Sequence, residues 1–309
     1  MSATYPTGMW GFFFSPTCTL PPQPYIDFYP ATFRQIPGDR AAPPDEYTAM
    51  RDELKLAMEA ARSAGALTLK YYQGRYELSD KGHDNPVTTA DLEADAHLKE
   101  MLLGTYPDYG WLSEETADNP ARLERETVWI VDPIDGTKEF VEGVPEFVVS
   151  IALVEGGEPT VAAMYNPAAD ELFVAARGGG SFLNGKRVFC TNLSNLGQAA
   201  LIVSRSETKR GEIDPFLPHL REVRPIGSVA YKLALVAAGR ADLNISVQPK
   251  NEWDVCAGDL LVREGGGQML DLEGQVRLYN QEDPHIKGGL VAGNSPLTEA
   301  MLELIKEVD

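Results

Sequence analysis

The chain has 309 residues, enough to bury one large core or two modest ones. Its composition, 43% hydrophobic and 24% charged, is that of an ordinary globular protein. A net charge of −19 argues against a nucleic-acid polymer as partner, because a duplex backbone would be repelled, but admits a small phosphorylated substrate if cations at the site reverse the local sign.

Residues 1–44 hold nine of the 22 prolines and several aromatics without a sustained period, and read as an irregular extension. A catalytic body is expected over 45–309, with lobes at about 45–195 and 196–309. It opens with a helix near Asp45 whose apolar face is Met50, Leu54, Met58, Ala61 and Leu69; Met50 is also a second candidate start. In NPVTTAD, Thr88 or Thr89 caps the next helix, Asp91 lies in its first turn, and Leu92, Ala96, Leu98, Leu102 and Leu103 form its face. WLSEE, VWIVD, FVVSIALV, TVAAMYNP and ELFVAAR read as strands, and RGGGSFLNGKRV as a hairpin. Then LIVS, ADLNIS, GQML and GGLVAGN read as strands. GSVAYKLALVAAG, EWDVCAGDLLVREGG and SPLTEAMLELIKEV read as helices, the last with Ser295 and Pro296 at its cap and first turn. The sum is a mixed α/β body with stacked layers.

Cys18, Cys190 and Cys256 are far apart, and His83, His97, His219 and His285 form no ligand pair, so neither a disulfide framework nor a zinc site is expected. No apolar run reaches the ~20 residues needed to cross a bilayer. The amino-terminal stretch lacks a basic region and a long apolar one, so neither a signal peptide nor a membrane is expected, and the location expected is cytoplasmic.

Chemistry is concentrated in WIVDPIDGTKEF. A strand ends at Asp132, Pro133 breaks its ladder, and Asp135 follows after a turn, so two carboxylates converge as oxygen ligands for a hard cation such as Mg²⁺. Gly136 and Thr137 then open a helical turn whose amides suit an anion. An Asx turn with a helix cap also accounts for that string. In WLSEET, strand alternation sends Glu114 and Glu115 to opposite faces, one towards a site; a solvated edge is the plainer alternative. Asp254 in NEWDVCAGD and Asp91 both also pass as helix caps. GSFLNGK at 180–186 mimics a phosphate-binding loop, but Arg187 stands where Ser or Thr is required and the context is strand–turn–strand.

Taken in order, VTTAD, LSEE, DPIDGT, GSVAYKLALVAAG and WDVCAG resemble the inositol monophosphatase superfamily of Mg²⁺-dependent, lithium-sensitive phosphatases, over roughly 45–307. The resemblance implies a layered α-β-α-β-α sandwich and two to three Mg²⁺ ions held by Glu114, Asp132, the Ile134 carbonyl, Asp135 and Asp254. It further implies that Glu114 and the Thr137–Asp91 pair activate the attacking water, and that Gly136 and Thr137 bind the phosphate. DGTKEF is more similar to the 3'(2'),5'-bisphosphate nucleotidase branch, which converts 3'-phosphoadenosine 5'-phosphate to AMP and phosphate. Lys138, Gly227, Ser228 and Lys232 are candidate substrate contacts: Lys138 and Lys232 are similar to that branch, whereas the spacing from Gly227–Ser228 to Gly239 is more similar to the inositol monophosphatases, and a solvated helix lysine is the alternative for Lys138. Inositol-1-monophosphatase and histidinol-phosphate phosphatase are the alternative activities, and homodimers are common in the superfamily. A catalytically silent binding homologue would need a lost ligand, and Asp91, Glu114, Asp132, Asp135 and Asp254 are all present.

Overall fold

Residues two apart along a strand share a face, so strands rich in Val, Ile, Leu and Ala throughout offer an apolar row to each side of their sheet. A computed structural model describes residues 51–74, 76–80 and 86–308 and realises this pattern as two large sheets between helical layers. Helix α1 (Asp52–Thr68) precedes the short antiparallel strands β1 (Leu78–Asp80) and β2 (Pro86–Thr88), and helix α2 (Thr89–Thr105) follows. A seven-stranded sheet then takes β3 (Gly110–Ser113), β4 (Thr127–Asp135), β5 (Val148–Glu155), β6 (Glu158–Asn166), β7 (Glu171–Ala176), β8 (Gly180–Leu183) and β9 (Lys186–Val188) in chain order. β3 and β4 are parallel and every later pair is antiparallel; helix α3 (Thr137–Glu142) sits between β4 and β5.

The second sheet contains β10 (Ala200–Val203), β11 (Glu222–Pro225), β12 (Leu243–Ser246), β14 (Gln268–Leu270) and β16 (Leu290–Gly293), in the spatial order β11-β10-β12-β16-β14. Between its strands lie α4 (Arg205–Lys209), α5 (Val229–Ala237) and α6 (Glu252–Glu264), and α7 (Ser295–Val308) closes the chain. β13 (Lys250–Asn251) leads into α6 and pairs with β15 (His285–Ile286).

The alternation assigns the layers. Trp129 and Val131 of β4, with Val149, Ile151 and Leu153 of β5, pack against Leu54, Ala57, Ala61 and Ala64 of α1 and Leu98 and Leu102 of α2. Their neighbours Val128, Ile130, Val148 and Ala152 face the other way, onto Leu233 and Ala234 of α5 and Leu260 and Leu261 of α6, where Ile202 and Ala292 of the second sheet also meet them. Leu201, Leu243 and Val291 turn to the far side and pack on Leu297, Met301 and Ile305 of α7. The order is α-β-α-β-α, as the resemblance implied. Within the central layer α5 and α6 approach closely: a Cβ on Gly258 would lie 2.5 Å from Leu233 Cβ.

Several local expectations needed correction. The extension 1–44, the helix start near Asp45 and Met50 lie outside the described residues; α1 is described from Asp52, and Leu69 lies beyond it and is exposed. On α2 the buried face is Ala90, Asp91, Ala94, Asp95, Leu98 and Leu102, whereas Leu92 is exposed. Leu98 and Leu102 therefore share the buried face with Ala90 and Ala94. Asn294, not Ser295, caps α7, accepting the Leu297 N–H at 3.0 Å. GSFLNGK is the β8–β9 hairpin, which disposes of the phosphate-loop mimic.

Gly258→Ala should destabilise the chain by about 1–3 kcal/mol through overpacking against Leu233, read as a lower denaturant midpoint at unchanged m-value.

Candidate active site

The ladder between β4 and β5 does not stop at Asp132. It resumes at Asp135 after a register shift, and Asp132 Oδ1 accepts the Ile134 N–H at 3.0 Å. Pro133, with no N–H to give, occupies a bulge rather than ending the strand. The Asx-type bond is thus present, and so is the convergence: Asp132, Ile134, Asp135, Gly136 and Thr137 line one cavity of about 270 Å³. Gly136 has φ +102°, and a Cβ there would lie 2.8 Å from the Glu146 carbonyl oxygen, so only glycine passes the chain into α3.

Glu114 reaches the same cavity, though not by strand alternation. β3 ends at Ser113, and Glu114 and Glu115 follow in a bend where Glu114 N–H still donates to the Val131 carbonyl at 3.3 Å. Asp254 lines the cavity from the first turn of α6 and accepts the Asn251 N–H at 2.7 Å through Oδ2. Asn251 is the cap of α6 and Asp254 the carboxylate that completes its capping box, so the same residue serves the helix start and lines the cavity.

Asp91 does the same at α2. Its Oδ2 accepts from Thr88 N–H at 2.8 Å and Thr88 Oγ1 at 2.6 Å, which makes Thr88, not Thr89, the cap. Its Oδ1 accepts from Thr137 Oγ1 at 3.1 Å. Asp91 therefore stands behind Thr137 rather than on the cavity wall.

Burial dominates the electrostatics, and like-charge crowding adds to it at Asp132 and Asp254. Burial raises Asp132 well above the usual carboxylate range, and Glu114, Asp135, Asp254 and Asp91 add to that rise. Burial and then Asp135 push Asp254 up. Asp135 is raised by burial too, opposed by hydrogen bonds from Ser228 Oγ at 2.7 Å and from Ala230 N–H. Burial lifts Asp91 against its bonds from Thr88 and Thr137. The cavity wall carries five carboxylates against three cations, Lys138, Arg205 and Lys232. As placed, no three Asp, Glu, His or Cys side chains among the described residues enclose a common point. The donor set itself is all hard oxygen, which suits Mg²⁺ and not a soft metal.

The remaining sequence candidates gather on the opposite wall. Ser228 caps α5 at φ +54°, accepts from Tyr231 N–H at 2.9 Å and donates to Asp135, so it orients a carboxylate as well as lining the cavity. Gly227 N–H donates to Glu146 Oε2 at 2.7 Å. Lys232 is buried, and its Nζ donates to the carbonyls of Ser228 at 2.8 Å and Ile226 at 3.3 Å, clamping the turn that carries Gly227 and Ser228. Lys138 is exposed on α3 and lines the rim.

Sequence reasoning missed Arg205 and Glu139. Arg205 Nη1 lies 2.5 Å from Glu146 Oε2 and 3.3 Å from Glu139 Oε1, and both Arg205 and Glu139 line the cavity. A signal was available: Arg205 follows β10 by two residues, and the carboxyl end of a strand is where Asp132 and Asp135 also lie.

Comparison with known proteins agrees with this arrangement. The model of the inositol monophosphatase family matches residues 49–309. The inositol-1-monophosphatase of Rhizobium meliloti is 37% identical over 237 residues, 74% of this chain and 86% of that one. The Nus factor SuhB of Xylella fastidiosa is 34% identical over 261 residues, covering 82% and 94%. The crystal structure of the extragenic suppressor protein suhB from Bartonella henselae superposes with a TM-score of 0.75 at 31% identity, covering 83% of this chain and 99% of that one. Fold and relatives together define a hydrolase of phosphate monoesters. The chain belongs to the inositol monophosphatase family, whose activity in general depends on Mg²⁺.

Burial lowers the Lys232 ammonium to about 8 from 10.5. Between those values the unfolded state holds the extra proton, so this group makes stability rise with pH over that window. Relative to Lys232→Met, the wild type should gain on the order of 2–3 kcal/mol from pH 8 to 10.5 in chemical denaturation.

Proposed function

We propose that this cavity hydrolyses a phosphate monoester of a small metabolite, with Glu114, Asp132, the Ile134 carbonyl, Asp135 and Asp254 as the residues that hold Mg²⁺. The observation that carries the reading is the concentration of those oxygens in one cavity beside Thr137, itself hydrogen-bonded to a buried carboxylate. Without added positive charge, a wall of five carboxylates against three cations would repel a phosphate dianion. Bound Mg²⁺ supplies that charge and stabilises the charge that develops on the phosphoryl and leaving oxygens.

The chain's own groups handle the proton. Thr137 Oγ1 lies 3.1 Å from both Asp91 Oδ1 and the Ile134 carbonyl; with that carbonyl engaged by the metal its hydrogen would go to Asp91, leaving lone pairs for a hydrogen bond from the attacking water. Asp91, raised by burial, is the receiving carboxylate. Water oxygen bonds to phosphorus, the ester P–O bond breaks, and the leaving oxygen takes a proton from solvent and departs as the alcohol, while Asp91 returns the water's proton to solvent. Gly136 and Thr137 are the proposed amide contacts to the phosphate. No covalent nucleophile is needed for a transfer governed by positioning and charge.

For the substrate, we propose a 3'(2'),5'-bisphosphate nucleotide. Lys138 at the rim and Arg205, whose side chain is 40% exposed, line the same cavity and would take a second phosphate, while buried Lys232 braces the Ser228 turn. A second reading, inositol 1-phosphate, draws on the Rhizobium meliloti relative, named for that activity. Further proposals are the lobes at about 45–195 and 196–309, in which the two large sheets would separate, and a cytoplasmic location, which suits the unpaired thiols of Cys190 and Cys256. No helix among the described residues is long and apolar enough to cross a membrane.

Asp135→Asn should cut phosphate release by on the order of 10³ or more while the melting temperature stays near wild type; full turnover in that variant, or in EDTA, overturns the metal reading. Thr137→Ala should lower kcat by roughly 10²–10⁴. A panel of 3'-phosphoadenosine 5'-phosphate, inositol 1-phosphate and histidinol phosphate, each with Mg²⁺ and with added Li⁺, decides the substrate. A kcat/KM for inositol 1-phosphate above that for the nucleotide reverses the substrate proposal.

A further inference from the structure

Asp95 lies one helical turn beyond Asp91 on the buried face of α2, and none of the roles above uses it. Its Oδ1 accepts the hydroxyl of Ser113, and its Oδ2 accepts Thr116 Oγ1 at 2.5 Å. Those two hydroxyls bracket Glu114 and Glu115. Asp95 and Ser113 are both buried, and Thr116 is half-buried. β3 has ended at Ser113, so beyond it the bend is fixed from one side by the Glu114 N–H bond to Val131 and from the other by this carboxylate. Holding a half-buried bend does not require a carboxylate at a buried position, which is costly to desolvate. Charge-assisted bonds to two hydroxyls are short and stiff, which suits a turn whose side chain must stay in register with a site.

We propose that Asp95 is a positioning residue that sets Glu114 in the cavity and thereby sets the affinity of the site for its divalent ion. The proposal rests on the reading of Glu114 as a metal ligand. One helix then steadies two parts of the site, through Asp91 to Thr137 and through Asp95 to the Glu114 bend.

The test is isothermal titration of the full chain with Mg²⁺ and with Mn²⁺, beside the Mg²⁺ dependence of phosphate release. Asp95→Ala should weaken ion binding by about tenfold and raise the half-saturating Mg²⁺ in step, with KM for the ester unchanged at saturating Mg²⁺. Asp95→Asn, which keeps one acceptor oxygen, should recover part of the affinity. Thr116→Val removes only one of the two bonds and should shift affinity in the same direction; it carries the test if Asp95→Ala does not fold. Glu114→Gln should weaken binding by itself, and adding Asp95→Ala to it should weaken it no further. If Glu114→Gln leaves ion affinity intact, the ligand assignment falls and this proposal falls with it. If Glu114→Gln weakens binding while Asp95→Ala and Thr116→Val lose only melting temperature, the ligand assignment stands and the positioning role is overturned.

Discussion

Four carboxylates, Glu114, Asp132, Asp135 and Asp254, share one cavity, and Asp91 stands close enough to add to the rise at Asp132. That crowding is the constraint to which the surrounding structure answers. Removing such groups from water and setting them side by side disfavours the charged forms twice over, by lost hydration and by mutual repulsion. A domain with a net stability of about 5–15 kcal/mol tolerates this only where specific donors compensate. The donors are present one by one: Ile134 N–H for Asp132, Ser228 Oγ and Ala230 N–H for Asp135, and Asn251 N–H for Asp254.

Helix starts provide much of that compensation. Asp91 sits in the first turn of α2 and Asp254 in the first turn of α6, while Asp135 accepts from the opening residues of α5. The amino end of a helix favours negative charge, because its first N–H groups lack intrahelical partners and the peptide dipoles add. Two helix starts, those of α5 and α6, thus face one cavity beside the end of β4, and that of α2 stands behind Thr137. The layered packing serves this end: α5 and α6 share the middle layer, so their starts reach the wall that β4 and the Glu114 bend also line.

Much of this was legible in the residues, and what was not has physical causes. The two-residue alternation of β4 and β5 fixed which rows face which layer, and the spacing of Asp132, Asp135, Gly136 and Thr137 carried their joint placement. The strand was misjudged where Pro133 suggested a stop, because a bulge lets the ladder resume and a local pattern does not reveal the partner strand. On α2 the expected Leu98 and Leu102 are buried, whereas Leu92 is exposed and the buried face includes Ala90, Ala94, Asp91 and Asp95, which single-residue hydrophobicity does not rank as core. Arg205 and Asp95 were invisible for another reason: each matters through partners distant in sequence, Glu139 and Glu146 in one case, Ser113 and Thr116 in the other. Lys232 was found, but its bonds to the Ser228 and Ile226 carbonyls make it a brace for the turn, which spacing does not disclose.

Asp91 and Asp254 each do two things: one oxygen accepts the N–H of the residue that caps its helix, and the residue also meets Thr137 or lines the cavity. Exchanging either carboxylate therefore also removes one bond of a capping box, at about 1 kcal/mol. Asp132 caps no helix, yet its Oδ1 holds the Ile134 N–H at the bulge that carries the chain to Asp135. A descendant that abandons hydrolysis for a purely binding life therefore keeps a structural reason to retain all three of these carboxylates. Its remaining carboxylates would be fossils of fold maintenance rather than of turnover.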